Sequence, residues 1–194
     1  SEHFEARIDA GAAHATVRGP LSDRSVDIVL RIMLAEQLLR RGGLLVHASA
    51  VLIDERAWVF AGPSGAGKST LAAELSAPVL CDEAVALTLD EGRVRAHATP
   101  YWTATPSDAL VRGLVFIEQG PANRWDPLGP GRGTARLLSA SGPNLASSAP
   151  RAMAVVQDVI TQLGDDVTEL TLESISAISQ WLEPQLFGIS HLDG

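Results

Sequence analysis

The sequence predicts a mixed α/β fold in which strands run antiparallel as well as parallel around one glycine-rich turn and the helix behind it. Three observations carry that expectation. Residues 44–53 and 57–60 are apolar and rich in Val, Leu and Ile, and only Asp54-Glu55-Arg56 separates them, so they should pair as an antiparallel hairpin. The second arm runs straight into Gly62-Pro63-Ser64-Gly65-Ala66-Gly67-Lys68-Ser69-Thr70, and residues 69–76 behind it read as a helix stopped by Pro78. Residues 79–81, 84–89 and 93–98 then supply short strands, the last two turning about Asp90-Glu91-Gly92. A hairpin leading into such a turn is informative, because turns of this wording are usually entered from a parallel β–α–β unit.

Composition limits the function classes. With 194 residues, 46% hydrophobic and 20% charged, the chain is expected to be one domain, residues 1–194, with a substantial core. Its formal net charge of −8 argues against nucleic-acid and anionic-membrane partners, which both require a cationic face. Cys81 is the sole cysteine, so no internal disulfide forms, and the five histidines have no zinc-ligand spacing. No apolar run approaches the roughly 20 residues of a membrane helix and no signal-peptide pattern is seen, which makes a cytoplasmic protein the expectation.

The remaining elements follow from periodicity. Phe4, Ala6 and Ile8 alternate, as do His14, Thr16 and Arg18, in keeping with an edge hairpin in residues 1–20. Residues 23–41 form a helix. Ile28, Ile32, Ala35 and Leu39 make one stripe, widened by Val29, Met33 and Leu38; Ser22 is its N-cap and Gly42 its terminator. It reads as a core-packing helix whose charges carry no function. Residues 99–102 are a loop and 114–117 a buried strand. The Gly- and Pro-rich stretch 119–133, holding Arg124 and Arg132, is the candidate mobile segment. Helices are expected over 134–139, 151–163 and 174–182, and a strand over 167–172.

The turn at 62–70 matches G-x-x-x-x-G-K-S/T, the phosphate-binding loop of nucleotide-using proteins. Its glycines let successive N–H groups point into one concavity, where Gly62, Pro63, Ser64, Gly65, Ala66, Gly67, Lys68, Ser69 and Thr70 would cradle phosphate oxygens. Lys68 would reach the β- and γ-phosphates, and the Ser69 hydroxyl is placed to hold Mg²⁺. Such a site needs a carboxylate at a neighbouring strand end. Asp82, 14 residues beyond Lys68, is the first candidate, with Glu83 beside it. Two adjacent acids can divide metal holding from proton acceptance, although acids at a strand end also simply cap turns. His47 lies mid-strand in Leu45-Val46-His47-Ala48-Ser49-Ala50-Val51, where a core histidine is the commoner case. Cys81 reads as a small buried hydrophobe. Arg112, Arg124, Arg132 and Arg136 are each candidates to neutralise phosphate, and Tyr101 and Trp102 either line a pocket or pack in the core.

Taken together, the histidine strand, Phe60-Ala61-Gly62-Pro63-Ser64-Gly65-Ala66-Gly67-Lys68-Ser69-Thr70 and Leu80-Cys81-Asp82-Glu83 resemble the catalytic domain of HPr kinase/phosphorylase. More closely, they resemble the shorter HPr-kinase-like proteins of peptide-biosynthesis clusters, lasso-peptide kinases among them. The pattern extends to the helix before His47, to Ala98-Thr99-Pro100-Tyr101-Trp102 and to Leu114-Val115-Phe116-Ile117-Glu118-Gln119-Gly120. The resemblance implies a phosphate-loop, NTP-binding fold of the HPr kinase/phosphoenolpyruvate carboxykinase type. It implies ATP and Mg²⁺ as cofactors, Ser69, Asp82 and Glu83 at the metal, and His47 beside the phosphates as a positioning group. The family commonly has two adjacent aspartates where this chain has Asp82-Glu83, and the residues before His47 leave no room for the N-terminal domain of HPr kinase proper. ABC ATPases and guanylate kinases share the loop wording. The first need an L-S-G-G-Q-type signature and the second a Tyr- and Arg-rich segment, and neither is present.

The expected activity is transfer of the γ-phosphate of ATP to a hydroxyl of a peptide, protein or small molecule, with Lys68, Asp82, Glu83 and His47 as catalytic residues. Peptide natural-product biosynthesis is the setting that the resemblance implies. The alternative is a nucleotide-binding regulatory or scaffold protein without transfer, motivated by the Asp-to-Glu departure. The acceptor and the oligomeric state are left open.

Overall fold

A small antiparallel hairpin, β1 (Glu5–Ile8) and β2 (Ala15–Arg18), precedes the first helix in the computed structural model, which describes residues 5–9, 14–19, 22–101, 107–141, 149–174 and 178–189. Helix α1 (Asp23–Arg40) starts at Ser22 in a reciprocal cap. The Ser22 hydroxyl accepts from the Ser25 N–H at 3.2 Å, while the Ser25 hydroxyl accepts from the Ser22 N–H at 2.8 Å. Its buried stripe is narrower than the sequence pattern predicts. Val29, Ala35 and Leu39 are buried, but Val26, Ile28 and Leu30 are exposed, because α1 packs mainly on one neighbouring strand.

The predicted continuous strand 44–53 is instead two strands. β3 (Gly43–Val46) ends at a bend on His47, and β4 (Ala48–Ile53) begins after it. The reason lies in partners: β3 pairs with β7 (Val85–Asp90), whereas β4 pairs with β5 (Arg56–Ala61) and β6 (Val79–Cys81). His47 is therefore between strands, with its N–H donated to the Ala140 carbonyl at 2.8 Å. Between β5 and β6 lies α2 (Lys68–Glu74).

The turns of the two expected hairpins use left-handed residues. Asp54 (φ 49°) and Glu55 (φ 60°) join β4 to β5, and Glu91 (φ 49°) and Gly92 (φ 74°) join β7 to β8 (Arg93–His97). Positive φ at both central positions matches the right-handed twist of the flanking strands.

Strand β9 (Asp108–Gln119) is far longer than the apolar run 114–117 implies, because it serves two sets of neighbours. Its first residues pair antiparallel with β8, and its remainder runs parallel to β5 on one side and to β11 (Val167–Leu172) on the other. The resulting order is β3-β7-β8-β9-β5-β4-β6, with β11 on β9 and β10 (Arg124–Pro127) on β11. The expected mixed and antiparallel sheet is thus formed. The Gly/Pro segment 119–133 contains β10 and the start of α3 (Pro130–Ala140), so it is built into the fold rather than left as a loop over it. Helix α4 (Ala149–Leu163) follows. α5 (Ile178–Ile189) covers most of the serine-capped helix expected over 174–182, and residues 175–177 of that expectation fall outside the described residues.

Alternation along the central strands divides the core in two. Ala57, Val59 and Ala61 of β5 and Leu114 and Phe116 of β9 share one cluster with Val155, Val156 and Val159 of α4. Trp58, Phe60, Val115 and Ile117 face the other way, against Leu71 of α2 and Leu182 and Leu186 of α5. One contact on β9 admits no side chain: a β-carbon at Gly113 would lie 2.4 Å from the buried Trp58 ring, which is itself wedged edge-on against Trp125 with centroids 5.8 Å apart. Gly113→Ala should therefore cost about 1–3 kcal/mol through overpacking, read as a lower urea midpoint with a changed near-ultraviolet tryptophan signal.

Candidate functional site

The antiparallel pairings decide what meets at one end of the central sheet. Register sets Ala48 of β4 opposite Ala61 of β5, and Ala50 opposite Cys81 of β6. The exit of β5, the entrance of β4 and the exit of β6 therefore lie side by side. They carry the turn at 62–70, His47 and Ser49, and Asp82-Glu83 respectively.

The turn is shaped by glycines at positions where a side chain would not fit. A β-carbon on Gly62 would lie 2.9 Å from the Ile117 carbonyl of β9, and Gly67 takes φ 96° immediately before α2. Lys68 is 5% exposed and folds back on the turn, donating from Nζ to the carbonyls of Gly62 at 3.0 Å and Pro63 at 2.9 Å. Burial pushes its ammonium below the ordinary lysine value, against the opposing pull of Glu83 and Asp82. Outside the turn, Pro63, Ser64, Gly65 and Ala66 line an open hollow of about 320 Å³ with Glu118 and Gln119 from the end of β9.

Asp82 is also 5% exposed, and its Oδ1 is the meeting point of the site. That oxygen accepts from the Ser49 hydroxyl, from the Ser69 hydroxyl at 2.9 Å and from the Glu83 N–H at 2.8 Å. A buried carboxylate needs such partners, since its hydration has been given up. Ser49 was missed by sequence reasoning. The signal was present as one hydroxyl on the side of β4 opposite Ala48 and Ala50, at a fully buried position.

Glu83 differs from its neighbour in every respect. Its side chain is 43% exposed, and its backbone takes φ 74°, with the Ala84 N–H bonded to the Asp82 carbonyl at 2.9 Å. This is a γ-turn of the rare positive-φ form, centred on a residue that carries a β-carbon. His47 holds the turn from outside. Its Nδ1 lies 2.9 Å from the Glu83 carbonyl, and since a carbonyl only accepts, Nδ1 bears the hydrogen. The same Nδ1 is 3.8 Å from Glu83 Oε1. Arg31 of α1, the second residue that sequence reasoning passed over, donates to Glu83 Oε1 at 3.3 Å. Its guanidinium lies 4.6 Å from the ring centroid of Tyr101, whose hydroxyl is held above its ordinary pKa by burial.

The other candidates lie apart from this group. Arg112 pairs with Asp166, Arg124 with Asp126, and Arg132 and Arg136 with the buried Glu169. Arg136 also pairs with Glu118, which links it to the rim of the hollow. Cys81 is buried, with its thiol 3.1 Å from the Ala84 carbonyl, and His97 is bonded to Thr88. Trp102 lies outside the described residues.

A buried acid tied to a glycine-rich turn, with a second acid strained and half-exposed beside it, defines a candidate anion- and cation-binding site at a sheet end. The family model described as SynChlorMet cassette protein ScmC matches residues 23–145, a span that takes in Arg31, His47, the turn and both acids. The chain belongs to this family. Among solved structures it is similar to the HPr(Ser) kinase/phosphatase from Coxiella burnetii, at 12% identity over 76% of this chain and 95% of that one, with a TM-score of 0.42. No curated protein matches it.

The strain at Glu83 gives a direct measurement. Glu83→Ala and Glu83→Gly both delete the carboxylate, but only glycine relieves the left-handed backbone. Glu83→Gly should exceed Glu83→Ala in stability by about 1–2 kcal/mol in urea unfolding, the reverse of the order at an ordinary position.

Proposed function

We propose that the protein is an HPr-kinase-like phosphotransferase that moves the γ-phosphate of ATP to a hydroxyl of a peptide, protein or small molecule. The observation that carries this reading is the hydrogen bond from Ser69, in the turn, to the buried Asp82. It puts a hydroxyl and a carboxylate, both hard oxygen donors, at one point beside a phosphate-loop sequence, the pairing that suits Mg²⁺ on a nucleotide. Ser69 and Asp82 would hold the ion, which when bound would neutralise charge on the phosphates.

Each residue has a task under this reading. The N–H groups of the turn, which Pro63 lacks, bind phosphate oxygens in the hollow. Lys68 exchanges the Gly62 and Pro63 carbonyls for the β- and γ-phosphates and balances the charge that develops there. One of the two acids accepts the proton of the acceptor hydroxyl, and His47 fixes the backbone that carries Glu83. Description of the family as a cassette protein supports a setting among other cassette products, as the resemblance to peptide-cluster kinases implies.

The test is transfer of labelled γ-phosphate to panels of peptides and metabolites. Lys68→Met should lower transfer by at least about 10²-fold, the scale of one lost charge-stabilising contact. ATP binding without turnover by the parent protein would instead support a nucleotide-binding regulator.

Lys68 also gives a pH prediction. Its folded pKa is lowered, so the unfolded chain binds that proton more tightly. The cost to stability is full below the lowered folded value and vanishes once pH passes the ordinary lysine value. Lys68→Met should therefore match or exceed the parent in urea midpoint near neutrality, and the difference should shrink as pH rises into the alkaline range.

A further inference from the structure

We infer that Arg31 is a positioning residue that holds the Glu83 carboxylate as the proton acceptor of the transfer step. The inference rests on the kinase reading above and divides the work of the two acids. Asp82 Oδ1 already accepts three hydrogen bonds from within the protein and is buried. Glu83 is the half-exposed member of the pair, and an acceptor hydroxyl arriving from solvent meets it first.

Glu83 is held from three directions. Its N–H goes to Asp82 at 2.8 Å and its carbonyl to His47 at 2.9 Å, which fixes the strained turn but not the flexible carboxylate. The carboxylate accepts from Arg31 at 3.3 Å. Arg31 is itself fixed: Nε donates to Asp27, one helical turn earlier, at 2.9 Å, and the guanidinium carbon lies over the Tyr101 ring, 4.6 Å from its centroid. Serving two carboxylates and an aromatic face at once requires the planar fork of arginine. Arg31, His47 and Glu83, with Ala84, Ala140 and Ser141, border a cavity of about 120 Å³, too small for a nucleotide.

In the step so assigned, the acceptor O–H proton passes to a Glu83 carboxylate oxygen while the acceptor oxygen bonds to the γ-phosphorus. The bond from that phosphorus to the β–γ bridging oxygen breaks, and its electron pair leaves with ADP. Glu83 then returns the proton to solvent. Arg31 touches neither phosphate nor acceptor and acts through Glu83 alone.

The experiment uses steady-state transfer by the full chain to an acceptor found in the panel, with ATP affinity by calorimetry. Arg31→Met should lower kcat by about 10²-fold, the effect of a misplaced reacting group, with the Kd for ATP changed less than about 2-fold. Arg31→Lys should recover part of the loss, and Glu83→Gln should be as impaired as the Arg31→Met/Glu83→Gln double variant. A further loss in the double variant, or an unchanged kcat in Arg31→Met, would overturn the role while leaving the kinase reading intact. A parent that binds ATP and transfers to nothing would overturn both. Cooperative thermal unfolding of each variant separates these results from misfolding.

Discussion

The hydrogen bonds that converge on Asp82 Oδ1 join three stretches of chain that the sequence keeps well apart. Ser49 comes from β4, Ser69 from the first turn of α2, and Asp82 from the end of β6. A carboxylate buried in this way is costly unless its partners are present, and removing one partner costs more than a surface ion pair ever returns. The antiparallel register of β4 with both β5 and β6 is what delivers those partners, since it brings the start of β4 to the same edge as the ends of β5 and β6. A parallel arrangement would set the start of β4 at the opposite end of the sheet from the turn. The hairpin entry is thus a requirement of the site rather than an incidental feature of the fold.

Departures from regular backbone collect around this point. The chain breaks at His47 between strands, turns left-handed at Glu83, and uses glycine where Gly62 nearly touches Ile117. Each departure is over-determined by its neighbours. His47 is tied through its N–H to Ala140 and through its ring to Glu83, so the bend and the γ-turn hold each other in place. Lys68 adds a different cost, a cation taken out of water whose hydrogen bonds go to two backbone carbonyls. Strain and a buried charge gathered at one end of a sheet are common where a fold gives up stability for a ligand, and this concentration supports the proposed reading.

Much of this was readable from the amino-acid sequence, and the reason is locality. The glycine-rich turn, both tight hairpins, the serine cap on α1 and the strand ending at Asp82 depend on short-range pattern, and the structure forms each of them. What pattern could not give was set by partners distant in sequence. The break at His47 is invisible in an unbroken apolar run, because it arises from β3 and β4 joining different neighbours. The length of β9 reflects service to two neighbours in succession. Glycines and prolines in 119–133 suggested mobility, but β10 finds a partner in β11 and Pro130 opens α3, where its missing N–H costs nothing. Arg31 was passed over because a helix periodicity ranks residues by burial and says nothing about which side chain bridges to a turn 52 positions away.

The two acids of one dipeptide are supported by different parts of the molecule. Asp82 is anchored to the central sheet and to α2, elements held between two buried clusters. The Glu83 carboxylate is anchored to α1, a helix that packs by the narrow stripe Val29, Ala35 and Leu39 and leaves apolar residues on its outer side. Fewer buried contacts mean a lower free-energy cost of local displacement, so α1 has more freedom to shift than the sheet does. Any such shift moves Arg31, and with it the Glu83 carboxylate, while leaving the turn, Ser69 and Asp82 in register. Under the proposed function, nucleotide binding and proton acceptance would be mechanically separable: the first would belong to the sheet end, the second to the contact between the sheet end and its peripheral helix.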